Sequence, residues 1–210
     1  MSRDENPYFA RGTTWYNGNA IDTTKYDGVY LEGKDFVFED VDPRDQGAPG
    51  GSVGQRSGRY VRCRIVRNVS GIALLPSRMV SGQKTAGVFR RRVDGYVTTS
   101  AGDRLGVVDE YLPAAGVPNG DLFWCVIAGP ALVLTDLAGG ATNVINVGDR
   151  VVGLTAVTSQ STTAGRVYAQ DLTGATSVLG NQIQNQIGRA LSAVTTGNTN
   201  AALLIDVGNW

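Results

Sequence analysis

The groups best suited to chemistry in this chain are two runs of carboxylates, Glu39-Asp40-Val41-Asp42 and Asp109-Glu110, two cysteines, Cys63 and Cys125, and a dense run of cations. Paired carboxylates can hydrolyse a glycosidic bond when one is protonated and the other ionised, and clustered carboxylates can bind calcium. The first run lacks the ligand spacing of an EF-hand loop, and acids of this kind ordinarily serve as surface charge or as ion-pair partners. The two cysteines lie far apart, each inside an apolar run and neither in a C-x-x-C spacing, so both read as buried thiols. The chain has no histidine. That removes the commonest general base, zinc ligand and pH switch together, and with them Ser-His-Asp, Cys-His and most zinc mechanisms. Phosphate-binding loops of the G-x-x-x-x-G-K-[ST] and G-x-G-x-x-G types are also missing: the cluster Gly47 to Gly54 is followed by neither a lysine nor a helical pattern. These residues nominate no catalytic site, no metal site and no cofactor, and the expectation is a protein that is not an enzyme.

The cations form the strongest pattern. Residues 56–92 hold ten bases (Arg56, Arg59, Arg62, Arg64, Arg67, Arg78, Lys84, Arg90, Arg91 and Arg92) and no acid. Residues 1–45 carry 10 acids against 5 bases, and residues 94–210 carry 9 acids against 4 bases, so a formal net charge of zero is assembled from segments of opposite sign. A basic stretch attracts phosphates, but no nucleic-acid motif surrounds this one and acidic flanks are available to neutralise it. Self-complementary or subunit-facing electrostatics is therefore preferred to direct nucleic-acid contact. Arg90, Arg91 and Arg92 are the candidates for contact with a phosphate or an acidic surface.

The elements that must position these groups are mostly strands. With 42% hydrophobic residues the 210-residue chain can bury a real core, while 18% charged residues and 28 glycines indicate many turns and surface suited to being covered by partners. Residues 1–55 read as an extended N-terminal arm and linker, broken at Asn6-Pro7, Asn17-Gly18, Asp27-Gly28 and Asp42-Pro43 and ending in the Gly/Pro-rich stretch 46–52. Phe36-Val37-Phe38 with Val41 is its one β-prone piece, and Tyr8, Phe9, Trp15, Tyr16, Tyr26 and Tyr30 are scattered without period; the arm either lies on the rest of the chain or docks on a neighbouring subunit, with Tyr8, Phe9, Trp15, Tyr16, Phe36 and Phe38 as the candidate interface aromatics. Residues 56–210 read as a β-rich core domain. In Tyr60–Arg67, Val61, Cys63 and Ile65 share one face while Arg62 and Arg64 share the other, as a half-buried strand requires. Further short strands are expected at Phe36–Phe38, Ile72–Leu75, Met79–Val80, Gly87–Phe89, Tyr96–Thr99, Leu105–Val108, Leu122–Ile127, Ala131–Leu134, Asn143–Val147, Val151–Ala156 and 201–207. One short C-terminal helix is expected near 177–194, because Leu179, Ile183, Ile187, Leu191 and Val194 line one helical face, with Thr176 or Ser177 to cap it and Gly197 to end it. The fold class is mainly β, a barrel- or sandwich-like domain.

The polar N-terminus does not read as a signal peptide. The longest apolar run, Leu122 to Leu134, is too short to span a bilayer as a helix, so no membrane partner is expected.

The stretch Gly58 to Pro76, with arginines alternating against Val61, Cys63 and Ile65, resembles the arginine-rich strand and turn of tailed-bacteriophage head decoration, or capsid cement, proteins. Phe36 to Pro43 is similar to their lead-in segment. Gly120 to Val126, Gly148-Asp149-Arg150, a helix carrying Ile187 to Leu191 and a closing apolar strand are similar to their C-terminal half. The resemblance covers most of residues 30–208. It implies a protein on the outer surface of the virion capsid, often a homotrimer, bridging major capsid protein subunits to stabilise the shell, with no catalytic residues. A phage tail or adhesin component binding host glycans, with Trp15 and Tyr16 stacking on sugar rings, is the alternative.

Overall fold

The computed structural model describes residues 14–15, 31–41, 55–85, 87–88, 90–97, 104–135, 144–153, 164–170, 183, 185–194 and 201–208. Among these residues lie the strands β1 (Thr14–Trp15), β2 (Asp35–Val41), β3 (Gln55–Asn68), β4 (Met79–Gly82), β5 (Arg92–Tyr96) and β6 (Arg104–Val108). They continue as β7 (Leu122–Leu134), β8 (Arg150–Gly153), β9 (Val167–Ala169), β10 (Gln186–Ala190) and β11 (Ala202–Val207). All belong to one large sheet in the order β2-β3-β5-β4-β6-β7-β11-β10-β8-β9, with β1 on β7 and a further β3–β7 pairing. The mainly β class expected from the sequence is the class observed. The pairings β3–β7, β7–β6, β6–β4, β4–β5 and β5–β3 return to their starting strand, so part of the sheet curls on itself.

That curl separates two apolar clusters, and β3 and β7 form the wall between them. Val61, Cys63 and Ile65 of β3 and Leu122, Trp124 and Val126 of β7 enter the larger cluster. Val66 of β3 with Phe123 and Cys125 of β7 enter the smaller one, together with Val80, Val93 and Val108 from β4, β5 and β6. Opposite faces of one strand thus serve two cores, as the period of two demands. Gly129 then shifts the phase of β7. Even-numbered residues face the larger core before it, and Ala131 and Val133 do so after it. Gly129 has φ 88°, and a Cβ there would lie 2.3 Å from the Tyr60 carbonyl oxygen, so only glycine fits the bend. Two strands expected at 122–127 and 131–134 are therefore one.

The helix expected over 177–194 is overturned over 185–194, though Ile183 is helical. Gln186–Ala190 is β10, paired with both β8 and β11, and Val194 bridges to Ile145. Ile183 is exposed and Leu191 only half-buried, so the apolar stripe does not face one core. Neighbouring strands complete the backbone hydrogen bonds that a helix would have made internally. Residues 177–182 and 184 lie outside the described residues. The strand expected at 72–75 and the described part, 144–147, of the one expected at 143–147 reduce to the single bridges Leu74–Val117 and Ile145–Val194, and Val88 lies in a turn, its carbonyl accepting from Arg91 N at 2.9 Å.

Of the expected arm, the described residues pair within the sheet. Thr14 and Trp15 register with Phe123 and Leu122, and β2 runs antiparallel along β3. Leu31 is buried in the larger core.

Candidate functional site

Because Val61, Cys63 and Ile65 face inward, Tyr60, Arg62 and Arg64 must face outward, and β2 sets Asp35, Val37 and Glu39 beside them. The cross-strand partners are Asp35 with Arg64, Val37 with Arg62 and Glu39 with Tyr60. Asp35 accepts from Nε and Nη2 of Arg64, a two-pronged contact, and from Nη2 of Arg62 at 2.6 Å. Burial pushes the Asp35 carboxyl up, but the hydrogen bonds and charges of Arg64 and Arg62 outweigh that and leave it below its usual value. Tyr60 at 66% and Val37 at 54% exposure are among the most exposed large apolar side chains described, and Arg59 pairs with Asp206 at 2.6 Å. The result is an apolar pair set in a field of guanidiniums and carboxylates.

A second carboxylate gathers the far end of the basic run. Glu32 accepts from Arg67 Nε at 2.7 Å and Arg92 Nε at 2.9 Å, and Arg67 also donates to the Gly120 carbonyl at 3.0 Å. Burial raises the Glu32 carboxyl, and the two arginines more than offset it, so the group sits below its usual value. The acid-free run 56–92 is therefore neutralised in part by the acidic N-terminal segment of the same chain.

The residues singled out from sequence are dispersed by the fold. Phe36 and Phe38 pack edge-on against buried Trp124, ring centroids 5.3 and 5.1 Å away, so both rings are partly committed to this chain's own core. Arg92 is held by Glu32, the stem of Arg91 lies over Gly33, and Arg90 is exposed with φ 67°. Trp15 is described only through its backbone pairing with Leu122. Tyr8, Phe9 and Tyr16 lie outside the described residues. The sequence singled out neither Tyr60 nor Val37, although the alternation of β3 already points Tyr60 to solvent.

Of the carboxylate runs, Asp42 lies outside the described residues. Glu39 is exposed and Asp40 buried, Asp109 is buried, and Glu110 accepts from the Leu132 amide at 3.1 Å. Cys63 and Cys125 are buried free thiols on adjacent strands, but they enter different cores, and burial pushes the Cys125 thiol up. Among the described residues no three of Cys, Asp and Glu converge as metal ligands.

No protein-family model matches the chain, and no curated protein matches it. Among solved structures, the head fiber gp8.5 N base of bacteriophage phi29 is similar at a TM-score of 0.39 and 11% identity, over 70% of this chain and 92% of that one.

Proposed function

We propose that this chain is a non-enzymatic structural component of a tailed-phage head, a decoration or cement protein that attaches to the outer face of the shell and bridges major capsid protein subunits. The observation that carries the reading is the outer face of β2–β3, where exposed Tyr60 and Val37 sit beside Arg62 and Glu39. Tyrosine and arginine dominate the energetic centres of protein interfaces, and a ring of charge that orients the partner is the usual rim around them. The resemblance of residues 30–208 to head decoration proteins supplies the class of partner. A homotrimer engaging several shell sites at once turns modest contacts into long-lived attachment.

The test is retention on purified heads. Wild-type protein is expected to copurify with intact heads at a copy number that is a multiple of the oligomer. A Tyr60→Ala, Val37→Ser double variant should keep its melting temperature, because both side chains are largely exposed, while being retained at least about tenfold less well. Undiminished retention removes this face from the mechanism. Binding to soluble host glycans without binding to heads would establish the tail or adhesin reading instead.

A further inference from the structure

Two loops meet over the smaller core and carry no charge. Residues 68–77 and 112–120 contain no Asp, Glu, Lys or Arg. Leu74 and Val117 bridge the loops antiparallel, each donating its amide to the other's carbonyl, at 3.0 and 2.8 Å, and both side chains are buried in the smaller core. Their neighbours Ala73, Leu75 and Pro118 therefore face outward, and with Ile72, Pro113 and Ala114 they form an exposed apolar tip. Ile72 is 50% and Leu75 37% exposed. We propose that this tip is the surface through which copies of the chain join, each tip meeting its own counterpart about the rotation axis of a homo-oligomer. The inference rests on the oligomeric part of the reading above and is independent of what the oligomer attaches to.

The absence of charge selects the partner. A surface that meets itself about a rotation axis brings each residue close to its own copies, so a charge placed there is repelled by its equivalent. The tip meets that condition. The outer face of β2–β3, set with Asp35, Glu39, Arg62 and Arg64, suits a dissimilar partner instead. Interfaces between copies of one chain are also more apolar than those between proteins that fold apart and meet later. A lipid surface calls for aromatic anchors and a basic rim, and residues 71–76 and 113–119 contain no aromatic residue and no cation.

The tip is fixed before any partner arrives. Buried Asn68 donates through Nδ2 to the Ile72 carbonyl at 2.7 Å and the Val117 carbonyl at 2.9 Å, one on each loop. The Tyr96 hydroxyl accepts from Leu75 N at 2.7 Å, and Asn119 Oδ1 accepts from Gly71 N at 2.8 Å. Gly116, with φ 84°, lets the Leu74 carbonyl oxygen approach to where a Cβ would lie only 2.9 Å from it. Loops held in this way lose little conformational freedom on association, so the burial of their apolar side chains is retained as affinity.

The experiment is sedimentation of the full chain over a range of concentrations. Wild type is expected to sediment as an oligomer. Ile72→Lys and Leu75→Lys each set like charges against one another at the axis and should raise the dissociation constant at least about tenfold, with the far-ultraviolet circular dichroism of wild type. A second readout requires no loss of binding. Cys63 and Cys125 are buried, so a bis-maleimide should join Ala73→Cys chains to one another within the oligomer and leave Val37→Cys chains unjoined. Oligomers undisturbed by either lysine, or joined no faster through position 73 than through position 37, overturn the proposal. A wild type that is monomeric at every concentration overturns it too, whether its tip then binds neutral phosphatidylcholine vesicles or proves necessary for retention on heads. If wild type is an oligomer dispersed by Ile72→Lys but does not bind heads, the shell reading fails and the tip stands.

Discussion

Glu32 is a single carboxylate holding two arginines at the end of β3, nearly buried with Arg67. Removing its charge leaves two guanidiniums to share one amide oxygen in a partly desolvated site. Glu32→Gln is expected to cost about 2–3 kcal/mol in denaturant unfolding, with the slope on denaturant unchanged. Gly129→Ala combines left-handed strain with a backbone collision at the Tyr60 carbonyl and should cost about 3 kcal/mol. The two cases differ in how far they could be read from sequence. Complementary charge between the first segment and the basic run was legible from counting, but which acids pair with which arginines depends on the β2–β3 register. Gly129 next to Pro130 reads as a stop between strands, because the same dipeptide usually marks a turn. Only the Tyr60 carbonyl lying over it reveals a phase shift inside one strand.

At the level of elements, β3 was the most legible, since it is solvated on one face along much of its length and alternation survives. β10 was not. Strands β8 and β11 flank it and most of it is buried, so Gln186, Ile187, Gly188 and Ala190 have no period of two, while apolar residues four apart imitate a helical stripe. Strand β2 makes a sharper case. It brings Phe36 and Phe38 onto Trp124 and Asp35 onto Arg62 and Arg64, and the turn before it brings Glu32 onto Arg67 and Arg92. A chain lacking residues 1–41 should therefore be insoluble or melt far lower, because it exposes the β3 edge, one side of Trp124 and four arginines deprived of their carboxylates. A chain lacking only residues 1–30 keeps all of those contacts. Thermal melts of the two truncations would separate them, and equal melting would show that β2 contributes little.

Over the whole molecule, neutrality is achieved by segments rather than residue by residue, and stability inherits a pH dependence from that arrangement. Glu32 and Asp35 both have carboxyl pKa values held below their ordinary 4.5 and 3.8 by the arginines they join. A group whose folded pKa is depressed binds fewer protons folded than unfolded, so its contribution is complete above the unfolded value and disappears as pH falls through the folded one. Unfolding free energy attributable to these two sites should accordingly be level from neutral pH down to about pH 5.5 and decline below about pH 4.5. Pairing Glu32→Gln with Asp35→Asn should lower stability at neutral pH and flatten the acid limb, so that the curves of variant and wild type converge toward low pH. Denaturant titrations across that range give the comparison directly. Parallel curves would mean that the two carboxylates are no better placed folded than unfolded. The acidic segment would then not be what fastens the basic run to the sheet.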